Sequence, residues 1–147
     1  MSMGMVICKF LASSRMERGL FLQAWGYSAI TAFIIRFFPM KVYRKWLGEE
    51  HKETPVQSLA ENTELPQLIS RAIRRCNKYA PWKTACYVQA FTAKIILRHH
   101  HLPSTLYFGL RKDRNGQLQA HAWLRCGTIM VTGNHEIENY TVVQFFS

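Results

Sequence analysis

The sequence predicts an α+β fold with helices first and an antiparallel sheet after them. Three observations carry this. Up to about residue 100, apolar residues recur at helical spacing, as in Leu65, Leu68, Ile69, Ala72, Ile73 and Cys76. After Pro103 the pattern shortens to strand-length runs separated by turn residues, Asp113-Arg114-Asn115-Gly116 and then Cys126-Gly127. Helical and strand patterns follow one another instead of alternating, which argues against a parallel βαβ sheet. The chain has 147 residues, 48% hydrophobic and 13% aromatic, enough for one core.

Residues 1–13 read as a loosely ordered apolar start. Ser13 or Ser14 caps a helix running through Phe38, with Glu17 placed to complete a capping box behind Ser14. Pro39 stops it. Leu20 to Phe38 resembles the apolar middle of a signal or anchor. Gln23, Ser28 and Thr31 interrupt it, however, and Arg36 closes it early. A buried helix is the preferred reading, with a membrane-surface or partner-docking helix as the alternative.

A short helix, Met40 to Leu47, ends at Gly48. Glu49 to Pro66 is polar and carries two prolines, so it reads as a linker with a helical turn around Val56 to Glu61. The chain then divides into a helical N-terminal region, 1–48, and a single compact site-bearing unit, 49–147. In the second part helix is expected from Leu65 to Tyr79, its outer face carrying Arg71, Arg74, Arg75 and Lys78. A second helix runs from about Lys83 to His100, with Val88, Phe91, Ile95 and Leu97 inward. Strands are expected at Ser104–Arg111, Gln117–Arg125, Thr128–Thr132 and Asn139–Phe146.

The net charge of +10 points to an acidic partner, an anionic membrane surface or nucleic acid. The basic residues are scattered and no nucleic-acid-binding signature is present, so nucleic acid is set aside. Cys8, Cys76, Cys86 and Cys126 form no CxxC pair and read as reduced thiols of a cytoplasmic protein. His99-His100-His101 cannot converge on one ion, since consecutive helical residues point about 100° apart. No metal or cofactor is called for.

Two segments carry chemistry: Pro81-Trp82-Lys83-Thr84-Ala85-Cys86 and Ala120-His121-Ala122-Trp123-Leu124. The first places a thiol in the opening turn of a helix, where the macrodipole favours an anion and free N–H groups can hold an oxyanion. The second places an imidazole on a strand, able to take the thiol proton and return it to a leaving amine. A third group normally orients such an imidazole. With Cys126-Gly127 as a two-residue turn, Arg125 faces Thr128, His121 faces Thr132, and Asn134 is diagonal to His121. Asn134 is preferred as the third member, with Thr132 and Glu136 as alternatives. Asp113, the only aspartate in the chain, reads as a turn former.

These segments, together with Leu102 through Asp113, resemble the stand-alone transglutaminase-like leader peptidase of lasso-peptide biosynthesis. The likeness is specific from about Pro81 to Gly133. It implies a transglutaminase-like core in which the cysteine-bearing helix packs on the antiparallel sheet. It also implies a cytoplasmic cysteine peptidase that removes the leader from a ribosomally made precursor. Its partners would be the precursor peptide, a separate leader-recognition protein and a lasso cyclase. The family's Cys and His map to Cys86 and His121. Its Asp falls about a dozen residues after the His, where this chain reads Val131-Thr132-Gly133-Asn134 and has no aspartate. Related alternatives are a transglutaminase-like acyl transferase and a non-catalytic peptide-binding scaffold.

Overall fold

A computed structural model describes residues 11–56 and 63–147. The apolar start, including Cys8, and most of the helical turn expected near Val56 lie outside the described residues. Among the described residues four helices precede four strands: α1 (Arg15–Phe37), α2 (Met40–Leu47), α3 (Glu64–Tyr79), α4 (Cys86–His99), β1 (Thr105–Lys112), β2 (Leu118–Cys126), β3 (Ile129–Thr132) and β4 (Thr141–Phe146). The sheet is antiparallel throughout, in the order β3-β2-β1-β4. This is the α+β arrangement expected.

Ser14 caps α1 as read. Its hydroxyl accepts from Glu17 N at 3.2 Å, and the Glu17 carboxylate accepts from Ser14 N at 3.2 Å. The helix buries Leu20, Ala24, Ser28 and Thr31, which recur every three or four residues and so form one stripe. The Thr31 hydroxyl is satisfied by Tyr27 O at 2.6 Å. The opposite side leaves Leu22, Ile30, Phe33 and Phe37 exposed. The expectation of a buried helix is therefore corrected. Packing against α3 and α4 covers a single stripe, and the hydropathy of the remaining positions does not bring a partner with it. By length and composition α1 is the one helix among the described residues apolar enough to cross a membrane.

The polar stretch after Gly48 is not a free linker. Glu49 N donates to Ser147 O, Ser147 N to Glu49 O, and His51 N to Phe145 O, which stitches residues 49–51 to the end of β4. Gly48 sits at φ +108°, and a Cβ there would overlap Ser147 O. Farther on, Thr54 N donates to Thr105 Oγ1 at 2.9 Å.

In α3, Pro66 occupies the first turn, where its missing N–H costs nothing. Ile69, Ala72, Ile73 and Cys76 turn inward, and Ser70 Oγ donates to Val131 O at 2.7 Å. Helix α4 begins at Cys86, three residues later than the expected Lys83. It is buried on nearly every side, including Thr92 and Lys94, because helices cover one flank and the sheet the other. Ile95 is only half-buried and Ile96 takes the inward place given to it.

Strands β1 and β2 pair from Thr105↔Arg125 to Lys112↔Leu118. The Asp113 carboxylate closes their turn by accepting from Asn115 N and Gln117 N. Between β2 and β3 the expected register fails. The turn residues are Gly127 and Thr128, Cys126 is a buried strand residue opposite Ile129, and a bulge makes Thr132 face Leu124 instead of His121. A one-residue displacement reverses which side of the sheet a residue faces. The fourth strand starts at Thr141, after a short 3-10 turn at Ile137–Asn139.

Leu106, Ala122, Leu124, Cys126 and Phe146 point from the sheet into a core shared with α1–α4. Their strand neighbours Tyr107, Gly109, His121 and Trp123 occupy the other face.

Candidate functional site

Cys86 is the first residue of α4 and is half-buried. The loop before it is pinned at three points. Trp82 Nε1 donates to Ser28 Oγ of α1 at 3.0 Å, and the Trp82 ring meets Trp25 edge-on at 5.0 Å. Thr84 Oγ1 donates to Asn77 Oδ1 of α3. Gln89 Nε2 reaches back to Thr84 O at 2.8 Å. The N-cap position is Ala85, which has no side-chain oxygen to offer, so no side-chain cap occupies the opening N–H groups of α4. They remain available to an anion forming beside the Cys86 sulfur.

The other two described thiols are unlike this one. Cys76 is buried in α3 and donates to Ala24 O at 3.6 Å, and burial raises its pKa. Burial pushes the Cys126 thiol up to about 11. Both are held in the protonated, unreactive form at neutral pH.

His121 lies opposite Gly109 of β1. Its Nε2 is 2.8 Å from the carbonyl oxygen of Gly133. A carbonyl only accepts, so Nε2 carries the proton and donates, and Nδ1 of the neutral ring keeps its lone pair. The ring rests against Tyr140 at 5.1 Å and Trp123 at 5.8 Å. Two glycines make this nest. At Gly109 a Cβ would come within 2.7 Å of the Trp123 ring and 2.9 Å of Tyr140 Cβ. At Gly133, with φ +71°, it would lie 2.5 Å from Ala122 O. Only glycine lets the chain run that close to β2 and present its carbonyl to His121.

Asn134 is exposed, and no hydrogen bond joins it to His121 among the described residues. Thr132 is buried with its hydroxyl unpartnered. Glu136 pairs with Arg111 at 2.6 Å, and Arg111 in turn covers the Tyr140 ring at 4.7 Å. The Arg111 guanidinium beside Glu136 holds its carboxyl below the usual range. The group at His121 Nε2 is thus a main-chain oxygen, which side-chain reasoning does not consider. The pair of glycines was the available signal.

Cys86 and His121 are not joined by a hydrogen bond among the described residues. The thiol borders the core, whereas His121 stands on the Trp123 face of β2. The first turn of α4 nevertheless lies level with the middle of β1, since Tyr87 meets Phe108 edge-on at 4.9 Å and Phe108 pairs with Ala122.

The family model Transglut_core3, described as transglutaminase-like superfamily, matches residues 36–144, about three-quarters of the chain. No curated protein and no solved structure matches. The chain belongs to the transglutaminase-like superfamily, and the matched span contains both Cys86 and His121.

Proposed function

We propose that this transglutaminase-like protein is a cytoplasmic cysteine peptidase that removes the leader from a ribosomally made lasso-peptide precursor. The observation that carries the reading is Cys86. It is the one described thiol that is not fully buried, and it opens an uncapped helix inside a matched superfamily span. The motifs around it and around His121 resemble those of the leader peptidases.

In this reading His121 Nδ1 takes the Cys86 proton. The thiolate attacks the scissile carbonyl carbon, a C–S bond forms, and the N–H groups at the start of α4 receive the oxyanion. The C–N bond breaks and the imidazolium gives its proton to the leaving amine. Water then hydrolyses the thioester to a carboxylic acid and restores the thiol. The Gly133 carbonyl, with Asn134 beside it in the chain, serves as the orienting group behind His121. The precursor arrives with a separate recognition protein, and a lasso cyclase consumes the freed core. The mechanism requires Nδ1 and the sulfur to meet when substrate is bound. Since the sulfur borders the core and His121 stands on the other face of β2, that meeting needs a rearrangement on binding and not merely a shorter hydrogen bond.

A non-catalytic peptide-binding scaffold is the second reading, favoured by the missing Cys86–His121 hydrogen bond. An acyl transferase would use the same thioester. One experiment separates the three: incubate the protein with its precursor and recognition partner, with and without Cys86→Ala, and weigh the products. Peptidase activity gives a shortened precursor, and either Cys86→Ala or His121→Ala abolishes it. A joined product means acyl transfer. Unchanged precursor with all partners present, together with no selective electrophile labelling of Cys86, means a scaffold.

A further inference from the structure

Beside the Pro81–Ala85 loop, the C-terminal half of α1 leaves an open groove of about 770 Å³. Small Ala32 and buried Val88 leave room in it, Phe33 and Trp82 line it, and Arg36 and Lys83 also border it. Ala85, the residue next to Cys86, is part of the same lining. We propose that this groove is the subsite in which the Cys86 site recognises its polypeptide substrate, taking an apolar side chain with a carboxylate close to it in the chain. The inference rests on the peptidase reading and adds the chemistry of the substrate segment.

Three features argue for this occupant. The groove reaches Ala85, the N-cap residue directly before Cys86 in the chain. Its surface is built for contact: Phe33 is 56% exposed, yet Trp82 beside it is fixed by Ser28 and Trp25. A fixed aromatic surface lowers the ordering cost of binding. The buried Ser28 of α1 serves this role, as its hydroxyl holds the Trp82 indole. Finally, the lining contains two cations and no carboxylate, and neither Arg36 nor Lys83 is in an ion pair among the described residues. The groove therefore favours an acidic peptide over a basic one.

The test needs no turnover. Random twelve-residue peptides displayed on phage are selected on the full chain carrying Cys86→Ser. Enriched peptides should pair an apolar residue with Asp or Glu. Their synthetic versions should bind at least tenfold more weakly to Ala32→Trp, which fills the groove, and to Lys83→Glu, with thermal melting used to show that both variants fold. Should Ala32→Trp not fold, Lys83→Glu alone decides. No enrichment, a basic consensus, or equal binding to folded variants overturns the subsite, while Cys86-dependent cleavage would still stand. Phosphatidylglycerol vesicles that capture the protein in a Phe33-dependent way, without peptide selection, would assign the face to a bilayer and overturn it too.

Discussion

Helices α1 and α4 are both apolar in sequence, yet the fold treats them in opposite ways. Helix α4 lies between other helices and the sheet, and buries even Thr92 and Lys94. Helix α1, which passes a length-and-hydropathy test for crossing a membrane, buries only 22% of its most apolar window. It hides Ser28 and Thr31 while Phe33 and Phe37 face outward. Hydropathy thus reports how much apolar surface a helix carries. What becomes of that surface depends on how many elements surround the helix, and the difference leaves α4 to set stability and α1 to offer a contact surface.

The largest test of this contrast sets one phenylalanine against another. Phe91 of α4 has no exposed surface. Phe91→Ala should lose about 3–5 kcal/mol in urea denaturation, from lost burial and the cavity left behind. Phe33→Ala on the exposed side of α1 should change stability by less than about 0.5 kcal/mol. Equal losses would mean that the α1 face is covered in the free protein.

Lys94 offers an intermediate effect. Its ammonium donates to Ser104 O at 2.8 Å, and burial, helped by nearby Arg98, brings its pKa down from 10.5 to about 8. Below pH 8 the folded and unfolded chains both hold the proton, so the full cost of burying the charge is present at pH 7. Between about 8 and 10.5 the folded chain holds fewer protons than the unfolded one, so this group makes stability rise with pH. The shift corresponds to roughly 3 kcal/mol, offset in Lys94→Met by about 1–2 kcal/mol for the orphaned Ser104 carbonyl. Lys94→Met should therefore be more stable at pH 7 by about 1–2 kcal/mol. Its advantage should shrink as pH rises from 8 to 10.5. Cys126, whose raised pKa lowers stability above pH 9, itself feels the Lys94 charge, so the comparison is read between pH 8 and 9. A constant difference across that range would refute the buried-charge account.

The smallest effect concerns how α1 is held. Ser14→Ala removes one half of the capping box and should cost about 1 kcal/mol, seen as a lower melting temperature. The loss should be accompanied by faster amide exchange at the start of α1 and not in α4. Uniform exchange changes would show that the two helices unfold as one unit.

The elements that carry the two candidate site residues were legible because their signals are local. A proline-tryptophan break before Cys86 and an alternating strand around His121 put both residues on the correct elements. The hydrogen-bond partner of His121 Nε2 was not legible. Locating it needed the β2–β3 register, which a turn displaced by one residue and a bulge at Leu124/Arg125 altered. The bulge arises where Ser70 of α3 takes Val131 O, a contact spanning 61 residues that no local pattern encodes.

The amino-acid sequence by itself determined the order of helices and strands, the Ser14–Glu17 cap, the Asp113 turn and the helix start that presents Cys86. Each depends on atoms a few residues apart, whose preferences act before the chain folds. The tertiary structure alone decided that one face of α1 stays open, that residues 49–51 join β4, and that a Gly133 carbonyl meets His121. These depend on which surfaces come together across the chain, where packing overrides local preference.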